Sequence, residues 1–308
     1  MDPYVINMPQ ILRWILVNVL IVPTRAKAST AAYRSIWPDA SEPAPLIRHS
    51  QALAKALEDT LNDSESFSVA LAFRYGKPDI RRALKQFESE SVEEILVLPQ
   101  YPHHADSTRT TSIEKVKTEL EKSNLTVPLR ILEPFYREPA YIAALADVCR
   151  EHMEEQTDHL LFSFHGLPEQ HILDADPQQN HCLKNDCCET PSLAHNTCYR
   201  HQVYTTAKLV AQSLNIQNFS VSFQSRLGRQ QWLRPYTDQV LHELPKTCKN
   251  IAVICPAFTA DNLETLEEMD MRGRETFLRA GGVNFTLIPC LNQNPLYVQY
   301  LANWCKQS

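Results

Sequence analysis

Three groups of residues carry chemistry by type and spacing. The first is His165, set in the run Leu161-Phe-Ser-Phe-His165-Gly-Leu-Pro168. A neutral imidazole serves as a base near pH 7, and an imidazole at the end of an apolar run is held at the rim of a core. The competing reading is a structural histidine hydrogen-bonded at a turn. The second group is Asp261, Glu264 and Glu268, spaced i, i+3 and i+7. On an α-helix they share one face, a row able to pass a hard cation or protons along a cleft. Asp261-x-x-Glu264 also reads as a helix start with acids at the positive dipole end, and both readings hold together. The third group is Cys182, Cys187, Cys188 and Cys198, four thiols spaced C-x4-C-C-x9-C. Thiolates are soft ligands, and four of them suit a [2Fe–2S] cluster or tetrahedral zinc. No C-x-x-C pair occurs, so the spacing is not that of a zinc ribbon. His181, His195 and His201 are substitute ligands in the same stretch.

The elements that must position these groups are legible. Short apolar runs at 69–73, 95–99, 160–164, 219–223, 251–255 and 285–289 read as strands. Between them, 78–87, 112–122 and 140–155 repeat their apolar residues at three and four, the helical period. Strand–helix alternation predicts an α/β fold with parallel sheets and helices on both faces. The 308 residues suit two domains of about 150 each. The pattern restarts after a long helix, which places the boundary between domains 1–155 and 156–308. In such sheets ligands bind beyond the carboxyl ends of the strands. Polar and aromatic residues follow each run: Arg74 and Tyr75, then Gln100, Tyr101, His103 and His104, then His165, then Gln224 to Arg226, then Phe258 to Asp261. They point to one cleft shared by both halves and suited to a flat aromatic ligand.

Composition excludes other classes. The chain carries 30 basic and 36 acidic side chains, a balance of −6 that argues against a nucleic-acid partner. It has six glycines and no phosphate-cradling glycine run, which argues against a nucleotide enzyme. Nine cysteines with no exported leader suggest a reducing compartment, hence a cytoplasmic protein. The apolar run 11–22 is shorter than the roughly 20 residues that span a bilayer. It reads as a buried amphipathic helix or as a segment lying on a membrane surface, here peripheral to the inner membrane.

Six motifs in order resemble the ferrochelatase family, whose members insert ferrous iron into a porphyrin. The His165 run resembles the motif of the family's catalytic histidine. Pro256-Ala-Phe-Thr-Ala-Asp-Asn-Leu-Glu264-Thr-Leu-Glu-Glu268 resembles the acidic helix facing that histidine. Ala72-Phe-Arg74-Tyr75-Gly76, Leu98-Pro-Gln-Tyr101-Pro102, the stretch from Gln224 through Trp232 to Asp238, and Leu291-Asn-Gln-Asn-Pro295 also match. The resemblance implies two similar Rossmann-like domains with the porphyrin between them and the C-terminal helix crossing back to the first. It implies His165 and Glu264 as catalytic residues, with Glu268 extending a path for the Fe2+ substrate. It implies Arg74, Tyr75, Tyr101 and Trp232 as porphyrin-binding residues, and a segment around 11–22 as the lip of the pocket. The family often has another acid where this chain has Arg272. The cysteine stretch is an insertion relative to many members, and the resemblance implies a [2Fe–2S] cluster on Cys182, Cys187, Cys188 and Cys198. Protoporphyrin IX is the favoured substrate and coproporphyrin III the alternative. The family's usual first strand is expected to be missing from the chain, and a homodimer is expected. Two further readings stand beside this one: a non-catalytic porphyrin- or haem-binding iron–sulfur sensor, and a cobalt chelatase of cobalamin synthesis, against which Glu264-Thr-Leu-Glu-Glu268 argues.

Overall fold

The computed structural model describes residues 2–5, 9–15, 17–18, 22–39, 41–62, 67–226, 228 and 230–307. Helices α1 (Gln10–Ile15), α2 (Val22–Ile36), α3 (Pro45–Leu61) and α4 (Ile80–Glu90) precede strand β1 (Ile95–Val97). Then come α5 (Thr111–Leu120), β2 (Leu129–Ile131), α6 (Pro139–His152) and β3 (His159–His165). After β3 follow α7 (Glu169–Asp174), α8 (Tyr199–Ser213), β4 (Phe219–Gln224), α9 (Thr237–Glu243) and β5 (Asn250–Ile254). A π-helical stretch, Glu264–Gly273, leads into α10 (Arg274–Arg279), β6 (Asn284–Leu287) and α11 (Pro295–Lys306).

The expected parallel α/β architecture is present. The first half holds β1 beside β2, parallel. The second half holds four parallel strands in the order β4-β3-β5-β6. The chain leaves β3 for β4 on one side and then crosses to β5 on the other. That reversal opens a crevice between the carboxyl ends of β3 and β5, where ligands bind in doubly wound sheets.

Two predicted features differ. Residues 69–73 are extended and half-buried, but make only an isolated bridge from Phe73 to Asp79. Without a neighbouring strand on the ladder, a β-prone run stays a loop. Conversely, β2 was not predicted. It is three residues long and follows Pro128, whose missing N–H marks it as a break. Its first contact is made by that proline's carbonyl, which accepts from the Ile95 amide at 3.0 Å.

Strand β3 is central because its sequence is apolar on both faces, and it is buried from His159 to Phe164. Its register with β5 is set at the amino end. The Asp158 carboxylate accepts from the Lys249 amide at 2.9 Å and the Asn250 amide at 2.8 Å. The main core is continuous across the two sheets. Leu53, Leu57 and Leu61 of α3, Tyr141 and Leu145 of α6, Val203 of α8 and Leu301 of α11 share one buried cluster with Phe162. Helix α11 starts at Asn294, whose side chain caps the Leu296 and Tyr297 amides ahead of an N1 proline. It packs on α3 and α6. Replacing the fully buried Phe162 by alanine is expected to cost about 3–5 kcal/mol. Chemical denaturation of the variant measures that loss.

Candidate active site

His165 ends β3, in register with Gln224 at the end of β4. Its main chain is gripped tightly. The Gly166 amide donates to the Gln224 carbonyl at 2.8 Å, and the Tyr199 hydroxyl donates to the His165 carbonyl at 2.8 Å. The imidazole Nδ1 lies 2.7 Å from the Gly166 carbonyl, the contact of a ring that carries its proton there. That leaves Nε2 to receive a proton. Gly166 is required by space: a Cβ there would sit 2.9 Å from the Gln224 carbonyl and 3.3 Å from the Trp232 ring. Trp232 therefore packs directly on the turn that follows His165, and Pro168 and Trp232 form an antiparallel bridge.

Across the crevice, the loop after β5 brings Phe258 edge-on to His165, with ring centroids 6.2 Å apart. Glu264 opens the π-helix, its amide held by the Asn262 side chain at 2.8 Å. Burial raises the Glu264 pKa, and the Glu268 charge raises it further; its own backbone and the His165 charge oppose them. Glu264 is thus a half-buried carboxylate in electrical contact with His165 and Glu268. Glu268 accepts from the Ser225 hydroxyl at 2.6 Å and pairs with Arg272 at 3.3 Å. Ser225 adopts a left-handed backbone (φ 65) just beyond β4, which non-glycine residues rarely do. Arg272 also reaches Glu267 at 2.6 Å, so a cation closes the acidic row where the family often continues it.

The straight row of three carboxylates is corrected by the structure. Asp261 is buried and fully engaged: it accepts from the Asn292 amide side chain at 2.8 Å, the Thr265 hydroxyl at 3.1 Å and the Cys290 amide at 3.2 Å. It staples the loop rather than lining the crevice. The helical stretch that follows is π, so a spacing count based on 3.6 residues per turn does not apply.

The first half meets the β5 loop. The Thr259 hydroxyl reaches the carbonyl of Gln100 at 3.5 Å, which sets the half-buried Tyr101 beside the loop of Phe258. Two neighbours expected in the cleft are elsewhere. His103 is buried, its ring edge-on to Phe164 and Tyr199. Gln224 is buried and accepts from Ser163 at 2.6 Å. Arg74 and Tyr75 lie together but are not free. Arg74 pairs with Asp2 at 2.8 Å and donates to the Thr111 hydroxyl at 3.0 Å, while Tyr75 donates to Asp2 at 2.6 Å. Burial followed by the Asp2 hydrogen bond pushes the Tyr75 pKa up to about 12. One residue escaped sequence reasoning. Tyr33, on α2, lies near enough that the Glu264 charge adds to burial in raising its pKa. No motif marks it; only the packing of α2 on the π-helix brings it there.

Of the run 11–22, positions 16 and 19–21 lie outside the described residues. Ile11, Leu12 and Trp14 of α1 are exposed, with Arg13 turned inward. The buried-helix alternative is therefore not what α1 shows. Among the described residues no helix is long and apolar enough to cross a membrane.

The cysteine loop forms a separate centre behind His165. Cys182, Cys187 and Cys198 are buried and Cys188 is half-buried, all as free thiols. Cys198 stands within hydrogen-bonding reach of Cys188 and Cys182; the Cys188 contact leads in lowering its pKa to about 6. The Arg200 guanidinium lies 3.3 Å from the Cys188 sulfur and 3.5 Å from that of Cys187. Each of the three histidines commits one ring nitrogen to the backbone of the loop. His181 and His195 direct Nε2 at the Cys187 carbonyl, and His201 directs Nδ1 at the Cys188 carbonyl. Among the described residues no three His, Cys, Asp or Glu side chains are already gathered as a metal site. Asp176 organises the loop. Burial would raise its pKa, yet the amides of Cys182, His181, Gln178 and Gln179 hold it down at about 2. A depressed folded pKa stabilises above the unfolded value, 3.8, and that stability is lost as pH falls through about 2. Asp176→Asn is therefore expected to lower the melting temperature at pH 7. The gap from wild type should narrow as pH falls from about 4 towards 2, which thermal melts across that range will show.

Two parallel sheets with a histidine at the switch-point strand and a carboxylate facing it define a chelatase-type fold. Solved structures agree. SirB from Bacillus subtilis, determined with Fe3+, superposes with a TM-score of 0.59 at 12% identity, covering 86% of this chain and 91% of that one. CbiX, described as the terminal enzyme of sirohaem synthesis in denitrifying bacteria, gives 0.54 at 16% identity over 87% and 95%. The ferrochelatase family model matches residues 1–308. The ferrochelatase of Pseudomonas fluorescens is 44% identical over 100% of this chain and 90% of its own length. That of Azotobacter vinelandii is 45% identical over 99% and 90%. The chain belongs to the ferrochelatase family.

Proposed function

We propose that this enzyme inserts Fe2+ into a porphyrin, protoporphyrin IX by preference, to form haem. The observation that carries the reading is His165 at the end of the switch-point strand, near enough to Glu264 for their charges to act on each other. Two pyrrole N–H protons must leave as two metal–nitrogen bonds form; the iron stays ferrous and no electron moves. His165 accepts a pyrrole proton at Nε2, since Nδ1 is committed to Gly166. Glu264, kept partly desolvated, takes metal or proton from the other side, and Glu268 extends that path as far as Arg272. Tyr101 and Trp232 flank the macrocycle. Arg74 and Tyr75 act from the first half, Arg74 towards a propionate and Tyr75 towards the ring, once Asp2 shares its hydrogen bonds.

The chain is read as two Rossmann-like units meeting near residue 155, working in the cytoplasm. The exposed Ile11, Leu12 and Trp14 support peripheral membrane contact at the pocket lip, where an apolar porphyrin arrives. A homodimer belongs to the same reading. The quartet Cys182, Cys187, Cys188 and Cys198 would hold a [2Fe–2S] cluster. Its support is the contact of Cys198 with Cys182 and Cys188, with Arg200 placed to offset anionic sulfur. When bound, such a cluster would clamp the loop and exchange single electrons; metal insertion does not run through it.

The direct test mixes the protein with protoporphyrin IX and Zn2+ and follows zinc-porphyrin fluorescence. Wild type should turn over and His165→Ala should fall to background. Porphyrin bound by wild type without insertion would instead favour the non-catalytic sensor. The same assay carries a pH prediction. A raised Glu264 pKa places the acidic limb of kcat above the usual glutamate value of 4.5. Removing the Glu268 charge lowers that pKa, so Glu268→Gln should move the limb to lower pH.

A further inference from the structure

The peptide group between His165 and Gly166 is held at both ends. Its N–H donates to the Gln224 carbonyl at 2.8 Å, and its oxygen accepts from the Tyr199 hydroxyl at 2.8 Å. The imidazole is in turn pinned to the next carbonyl, that of Gly166, at 2.7 Å. The aim of Nε2 therefore depends on two consecutive peptide planes, one of which Tyr199 fixes. Gln224 lies on the neighbouring strand and moves with the sheet. Tyr199 does not: it opens α8, directly after Cys198.

That helix start is built into the cysteine loop. The Cys198 sulfur accepts from the His201 amide at 3.5 Å, capping the first turn. Arg200, in the same turn, reaches the sulfurs of Cys188 at 3.3 Å and Cys187 at 3.5 Å. One turn later the buried Gln202 donates to the carbonyls of Asn196 at 3.0 Å and His195 at 3.3 Å. Its oxygen accepts from the His104 amide at 2.7 Å, in the loop beyond β1. The Tyr199 ring is buried edge-on to His103, with centroids 5.8 Å apart. The first turn of α8 is therefore fixed to the thiols on one side and to His165 on the other. A change at Cys198 that shifts this turn must shift the hydroxyl that holds His165.

We infer that Tyr199 is a positioning residue for His165, and that through it the Cys198 cap on the first turn of α8 sets the aim of the imidazole. The inference rests on His165 acting as the base. It goes beyond that reading by giving the cysteine loop a mechanical path into the site.

Tyr199→Phe keeps the ring against His103 and removes only the hydroxyl. Zinc insertion into protoporphyrin IX should lose about tenfold in kcat with porphyrin KM unchanged, as for a misaimed catalytic group. Cys198→Ser should slow the wild type but cost nothing further in the Tyr199→Phe background, the signature of one shared path. Amide hydrogen exchange supplies a readout independent of turnover. The peptide spanning 165–168 should exchange faster in both variants, while β5 at 250–254 keeps its protection and shows that the fold is intact. An unchanged kcat in Tyr199→Phe, or losses that multiply independently in the double variant, would overturn the inference. So would unchanged exchange at 165–168 with β5 still protected. Loss of protection at 250–254 in Cys198→Ser would overturn the mechanical path, since Cys198 would then support the whole fold. If wild type itself fails to insert metal, the reading of His165 fails, and the exchange comparison still decides the link from Cys198 through Tyr199.

Discussion

The parallel register of β3 between β4 and β5 is the constraint on which the site depends. Pairing of His165 with Gln224 fixes the backbone of His165 against the start of the Ser225 turn. Pairing of Phe162 with Ile254 fixes where the β5 loop leaves the sheet. A slip of one residue would turn His165 to the opposite face and separate it from Glu264. Two features serve that register. Asp158 ties the amino ends of β3 and β5, and Gly166 allows the Gln224 carbonyl to approach.

Electrostatics follow from that geometry. The crevice places a carboxylate of raised pKa within electrostatic reach of the His165 imidazole. Its charge is bounded: Ser225 and Arg272 hold Glu268, and Asn292 and Thr265 withdraw Asp261.

Much of this was legible in the sequence because burial leaves a pattern. The strands at 95, 160, 219, 251 and 285 are apolar runs between helical periods, and His165 and Glu264 stand where such strands end. What the sequence concealed were the long-range partners. Asp261 reads as part of an acidic row until Asn292, 31 positions on, takes its carboxylate. His103 and Gln224 read as cleft residues until Thr206 and Ser163 are seen beside them. The π-helix at 264–273 has no signature in residue type. Residues 69–73 show the opposite failure: strand-forming side chains do not make a ladder without a neighbour. In the cysteine loop, spacing revealed the thiols but not that each histidine turns one ring nitrogen to the Cys187 or Cys188 carbonyl.

The proposed division of labour sets His165, at the end of β3, with Glu264, at the start of the π-helix beyond β5. It is tested most directly by anaerobic Fe2+ insertion with Glu264→Gln, alongside the dissociation constant for protoporphyrin IX. Porphyrin binding is expected to be unchanged and insertion reduced by at least about a hundredfold, the scale of a lost acid–base group. Insertion at the wild-type rate would contradict that division, because the carboxylate facing His165 would then be idle.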